Sequence, residues 1–275
     1  MAAFPRHRPR RRESSPPTRA LHPLSPGGHP RRDRRSEARL RSRPGHGPRA
    51  ILRRNQSQLR DIVIRFAGQL IRGLRDRGVI PCGKHFPGHG DTAQDSHLEL
   101  PVVKKSRQSL HDVELPPFIF ACGSRIECLM TAHVLYAALD PAYPATLSEA
   151  VVGSLLREEM GYQGVVFADD LEMKAISKNF APEEAVSRAV DAGLDVLLFC
   201  HNRESAVRAF EFLYQQAEKN ARTKARIEES YQRIRKLKTR YLKSFKGMGE
   251  DLLMEHVGIT SHQKLADEII KAGEH

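Results

Sequence analysis

Apolar runs alternating with amphipathic stretches predict an α/β fold with a parallel sheet, and two observations carry that expectation. Helical spacing and short apolar runs take turns four times between residues 58 and 202. Each apolar run also ends in polar side chains, the pattern of buried parallel strands that open into a site at their C-terminal ends.

The first unit begins near Leu59. Val63, Phe66, Ala67, Leu70, Ile71 and Leu74 recur at helical spacing, Gly78 supplies a left-handed stop, and VIPCGKHF follows as a strand. IECLMTAHV at 126–134 is the second strand. Ser148 then caps a helix with Val151, Val152, Leu155 and Leu156 on its inner face, and Gly161 ends it before the strand GVVFADD at 164–170. Pro182 opens the next helix, with Ala185, Val186, Ala189 and Val190 inward, ahead of DVLLFCHN at 195–202. Residues 203–245 read as one or two charged closing helices, and 246–275 as a short helical tail. A closed eight-stranded barrel typically takes about 250 residues, and only these four strands are legible.

The basic charge of the chain has a location. Residues 1–60 hold 17 arginines, no lysine and 3 acidic residues, while the remainder holds 28 basic and 30 acidic residues and is near neutral. No basic face for nucleic acid is expected of the folded part. The segment 1–57 also carries nine of the 17 prolines and few apolar residues, too little to offset the entropy of ordering, so it is expected to be disordered. A phosphate-binding tail lacks aromatic interleaving, and a transit peptide is interrupted by the prolines. Its use of Arg without Lys, against both in the rest of the chain, makes an out-of-frame or misassigned start the favoured expectation.

Cys82, Cys122, Cys128 and Cys200 form no CxxC pair and read as buried small hydrophobes in a reducing compartment. No run approaches a membrane span and the start has no signal-peptide core, so a cytoplasmic location without membrane partners is expected.

The polar residues at the four strand ends are Lys84 and His85, then His133, then Asp169 and Asp170, then His201 and Asn202. Around the first of them, CGKHFPGHGDTAQDSH packs three histidines, three glycines and two aspartates into residues 82–97. A metal site on His85, His89 and His97 fails, because Pro87 and Gly88 break the helical geometry that i, i+4 ligands need. Neither phosphate-loop glycine spacing is present, and no cofactor is expected. A loop of hydrogen-bonded histidines is the bland reading. The remaining reading combines a carboxylate, Asp169, with an Asp95–His97 dyad in which the carboxylate orients the imidazole, the arrangement of a retaining glycosidase.

GKHFPGHGDTAQDSHLELP, MTAHVLY, PATLS and GVVFADDLEMKAI together resemble the family 3 glycoside hydrolases of the bacterial β-N-acetylglucosaminidase type, over roughly residues 58–245. The resemblance implies a (β/α)8 barrel of which only the C-terminal half, about four strand–helix units, is recognisable. It implies Asp169 as nucleophile, His97 as general acid/base with Asp95 as its dyad partner, and Lys84, His85 and His133 at the sugar. Asp170 is the rival nucleophile, which strand alternation places on the other side, in a supporting role with His89. The implied substrate is a GlcNAc-containing glycoside of the peptidoglycan-turnover type, cleaved by double displacement, with phosphorolysis suggested for some relatives of this type. The family's N-terminal half-barrel, with its sugar-gripping Asp and Arg residues, has no counterpart here. A truncated, inactive or binding-only homologue is the alternative, and the oligomeric state is open.

Overall fold

A computed structural model of the chain describes residues 48–89, 92, 100–243, 247, 249 and 255–273. Of its two units, residues 1–47 and 48–275, only the second contains described residues. Helix α1 (Pro48–Asp76) starts well before Leu59 and so takes in the end of the segment expected to be disordered. The reason is local: proline suits the first turn, and Ala50 to Gln58 contain only tolerable helix residues.

Strands β1 (Cys82–Phe86), β3 (Cys128–Thr131), β5 (Val165–Asp170) and β6 (Val196–Leu198) form one sheet in that order. All its pairs are parallel, with Cys82 opposite Cys128, Cys128 opposite Val165 and Phe167 opposite Val196. Each strand is displaced sideways from the last by a crossover, the winding of a (β/α) barrel. The four predicted strands are present, shorter than their apolar runs.

The segments on either side of β3 carry elements that their sequence period does not announce. A two-stranded ladder pairs β2 (Val102–Val103) with β4 (Leu135–Tyr136). Between β2 and β3 lie α2 (Arg107–Asp112) and α3 (Leu115–Gly123). Their signals are short-range: Ser106 caps α2 by accepting from Ser109 N at 3.2 Å, and prolines occupy the first turn of α3.

After β4, a 3₁₀ turn (Ala145–Leu147) leads into α4 (Ala150–Glu159), which is wound as a π-helix. Ser148 Oγ accepts from Val151 N at 3.2 Å at its start. Gly161, with φ of 64°, follows its end. Helix α5 (Lys174–Ser177) is one turn, and α6 (Pro182–Ala192) stops at Gly193, whose φ of 115° is left-handed. The closing helices are α7 (Arg203–Lys219) and α8 (Ala221–Leu242), and the tail contains α9 (Thr260–Gly273).

Leu129, Val166 and Ala168 of the sheet are buried against Leu110, Leu115, Val152, Leu156 and Ile176 of the helical layer. The N-terminal end of the sheet is fixed by two acids, each placed immediately before a strand. Asp195, fully buried, meets Arg157 at 2.7 Å, Arg226 at 3.0 Å and Arg233 at 3.1 Å, and accepts from Val166 N and Ser230 Oγ. Burial opposes its ionisation, yet Arg157 and the hydrogen bonds hold its carboxyl below the usual range. Glu127 likewise takes Arg75 of α1 at 3.0 Å and the Tyr241 hydroxyl of α8 at 2.6 Å. Together these two carboxylates fasten α1, α4 and α8 beneath the sheet.

Candidate active site

At the opposite end, the sheet brings the strand-end residues of β1 and β5 together. His85 Nε2 lies 3.5 Å from Asp169 Oδ2, with about a quarter of each side chain open to solvent. The other carboxylate oxygen of Asp169 accepts from Asp170 N at 2.9 Å, which fixes its orientation. Burial pushes the His85 imidazole below its ordinary pKa; the Asp169 charge opposes this, and Lys84 and His89 add to it. His85 therefore faces the carboxylate as a neutral ring at pH 7. The peptide bonds Lys84–His85 and Phe86–Pro87 are both cis. Lys84 is exposed, and the His89 ring stands edge-on to His85 at 6.0 Å with Nδ1 3.5 Å from Thr92 Oγ1.

His133 departs from its expected place at the sugar. It is buried, and both ring nitrogens are engaged: Nε2 donates to the Asp170 carbonyl at 2.9 Å, and Nδ1 is 2.8 Å from Thr146 Oγ1. Burial lowers its pKa, so the ring is neutral and Nδ1 accepts from the threonine hydroxyl. A ring with no free nitrogen and no exposed edge cannot bind a ligand; it positions the backbone that follows Asp169.

Asp170 is buried, as its neighbour is not. Its Oδ1 accepts from Glu172 N at 3.1 Å and Cys200 N at 3.2 Å, and its Oδ2 faces His201 Nδ1 at 3.0 Å. Glu172, which sequence reasoning passed over, accepts from His201 N at 2.7 Å and Asn202 N at 3.1 Å. Those N–H groups hold its carboxyl below the usual pKa. Asp170 and Glu172 thus tie the loop after β5 to the loop after β6. Ligand atoms of Asp170, Glu172 and His201 lie within 4.8 Å of one another, the one group among the described residues with a donor set for a divalent cation. The only sequence signal for Glu172 is its place two residues beyond a strand-end acid.

Asp95 and His97 lie outside the described residues. The two stems of their loop are visible. Tyr136 donates its hydroxyl to Gly88 O at 2.7 Å, and Leu135 N donates to Pro101 O at 2.9 Å, so the β2–β4 ladder holds both ends. Gly88 has a φ of 129°, and a Cβ there would meet Glu114 at 2.7 Å. Glu114 in turn pairs with Lys105 at 2.5 Å. Only glycine fits that stem.

Parallel strands wound with helices outside, and a partly exposed carboxylate beside an imidazole at their C-terminal ends, are the arrangement of a (β/α) barrel domain with its site at the strand ends. The chain belongs to glycosyl hydrolase family 3, matching its N-terminal domain over residues 45–237. It is 43% identical over 145 residues to a β-hexosaminidase of Alkalilimnicola ehrlichii, covering 53% of this chain and 41% of that protein. To β-hexosaminidase A of Pseudoalteromonas piscicida it is 33% identical over 237 residues, covering 80% of this chain and 39% of the other. Among solved structures it resembles a family 3 β-N-acetylglucosaminidase from Paenibacillus sp. str. FPU-7, with a TM-score of 0.63 and 43% identity over 65% of this chain and 34% of that one. The chain therefore spans less than half of each of these relatives.

Proposed function

We propose that this site belongs to a retaining β-N-acetylhexosaminidase that releases terminal β-linked N-acetylglucosamine. The observation that carries the reading is the Asp169 carboxylate at the C-terminal end of β5, oriented by its own chain and facing His85 at 3.5 Å. Asp169 attacks the anomeric carbon while the glycosidic C–O bond breaks, and His97 gives a proton to the leaving oxygen. Water then attacks the glycosyl–enzyme ester, His97 takes its proton, and Asp169 is released. Asp95 orients His97, and Lys84 and His85 hydrogen-bond sugar hydroxyls. The names of the relatives support the sugar, and peptidoglycan turnover in the cytoplasm is the setting we assign to it.

Hydrolysis of a chromogenic aryl β-N-acetylglucosaminide, with Asp169→Ala as control, tests the reading. Turnover that survives the substitution overturns the assignment of the nucleophile. A folded chain without turnover favours the second reading, an inactive or binding-only homologue.

A further inference from the structure

The turn that carries His85 is fastened at three backbone points. Phe86 O accepts from Ala132 N at 2.8 Å, and Gly88 N donates to His85 O at 2.8 Å. Gly88 O accepts the Tyr136 hydroxyl at 2.7 Å. Among the described residues no hydrogen bond fixes the His85 ring itself, which lies 3.5 Å from Asp169 Oδ2. Its distance from the carboxylate is therefore set by the backbone on which it rides.

Of these fastenings, only the last is made by a side chain. Tyr136 lies in β4, 1% exposed, with its backbone paired to Val103 in the β2–β4 ladder. Burial, and then the nearby Glu114 charge, push its pKa above the ordinary phenol value, so the hydroxyl keeps the proton it donates.

Glu114 packs against the same joint. A Cβ on Gly88 would meet the Glu114 Cβ at 2.7 Å and its Cγ at 3.0 Å. One carboxylate oxygen of Glu114 takes Lys105, and the other, Oε2, is buried with no hydrogen-bond partner. A buried unpartnered oxygen weakens a fold. Stability alone thus gives no reason for an acid here, whereas it supplies a flush contact for Gly88 and a charge that keeps Tyr136 protonated.

We propose that Tyr136 is a positioning residue: through Gly88 it holds His85 opposite Asp169. Buried itself, it is out of reach of a ligand and acts only through the turn 85–88. A strand of two residues thereby governs the spacing between the ends of β1 and β5. Its part in turnover rests on the reaction proposed above; its hold on His85 does not.

Carbon NMR of the full chain labelled at the histidine ring tests it, with the His85 signal identified by His85→Gln. In the parent chain Asp169→Asn should move that signal and lower the His85 pKa, because the carboxylate favours the protonated ring against Lys84 and His89. Tyr136→Phe keeps the ring and removes only the hydroxyl. In that background the response to Asp169→Asn should fall by about half or more, the coupling that a double-mutant cycle isolates. Gly88→Ala, which drives a Cβ into Glu114 at the same joint, should reduce it likewise. The His133 signal should keep its place in both variants. A full response in either variant, a parent chain without one, or a His133 signal that moves with that of His85 would overturn the proposal. Turnover distinguishes the hold on His85 from the reaction. In an active chain Tyr136→Phe should lower kcat/KM by about tenfold or more, and an unchanged value overturns the proposal as well. Turnover that survives Asp169→Ala would refute the reaction and leave the NMR result standing.

Discussion

His133 Nε2 lies 2.9 Å from the Asp170 carbonyl, so a buried imidazole holds the peptide carbonyl one residue beyond the carboxylate proposed to attack the sugar. His133→Ala leaves that carbonyl and the Thr146 hydroxyl without their partner and opens a void. The expected cost is about 2–4 kcal/mol of stability, read by urea unfolding. In an active protein kcat should fall more than KM changes, because the ring touches no ligand. A selective rise in KM would return His133 to the substrate.

Asp169→Asn should remove turnover while leaving the melting temperature within a few degrees, since the side chain is partly exposed and bears no buried ion pair. Loss of cooperative melting in this variant would mean that the carboxylate holds the fold and not the chemistry.

Acid should destabilise the protein through His133 and, more weakly, His85. His85 and His133 both bind protons more weakly in the folded chain than the ordinary value of 6.5. Below about pH 6.5 the unfolded chain takes up protons that the folded chain refuses, so stability is full above that pH and falls as pH drops toward the folded values. His133 dominates, because the partly exposed His85 is screened by solvent. The melting temperature should be lower at pH 5.5 than at pH 7.5, and His133→Gln should flatten the difference; an unchanged slope contradicts this account.

Asp195→Ala leaves Arg157, Arg226 and Arg233 facing one another around a buried gap. The expected loss is about 3–5 kcal/mol, the range for removing one member of a buried charge cluster. Denaturant melts measure it directly, and a loss under 1 kcal/mol would show that solvent already relieves the arginines.

The parallel sheet was legible because its strands are apolar runs with polar ends, and the helices after β4 because their inner faces keep a 3.6-residue period. The ladder β2–β4 and helices α2 and α3 were not, since strands of two residues and helices of six and nine carry too few positions to display a period. Asp169 and His85 could be named from sequence, but their mutual distance depends on how β1 and β5 flank β3. His133 was misplaced for a related reason: its position at a strand end says nothing of which way the ring turns. Glu172 escaped notice because its role is to accept backbone N–H groups from a loop thirty residues away.

The ion clusters of Asp195 and Glu127 sit at one end of the sheet, and the Asp169–His85 pair at the other. Tolerance to change is therefore divided along the strands. Loops at the Asp169 end can be lengthened or exchanged while the acids at the far end keep the helices anchored. A library randomised only in the loops after β3, β5 and β6 should retain folded members far more often than one randomised at the strand starts.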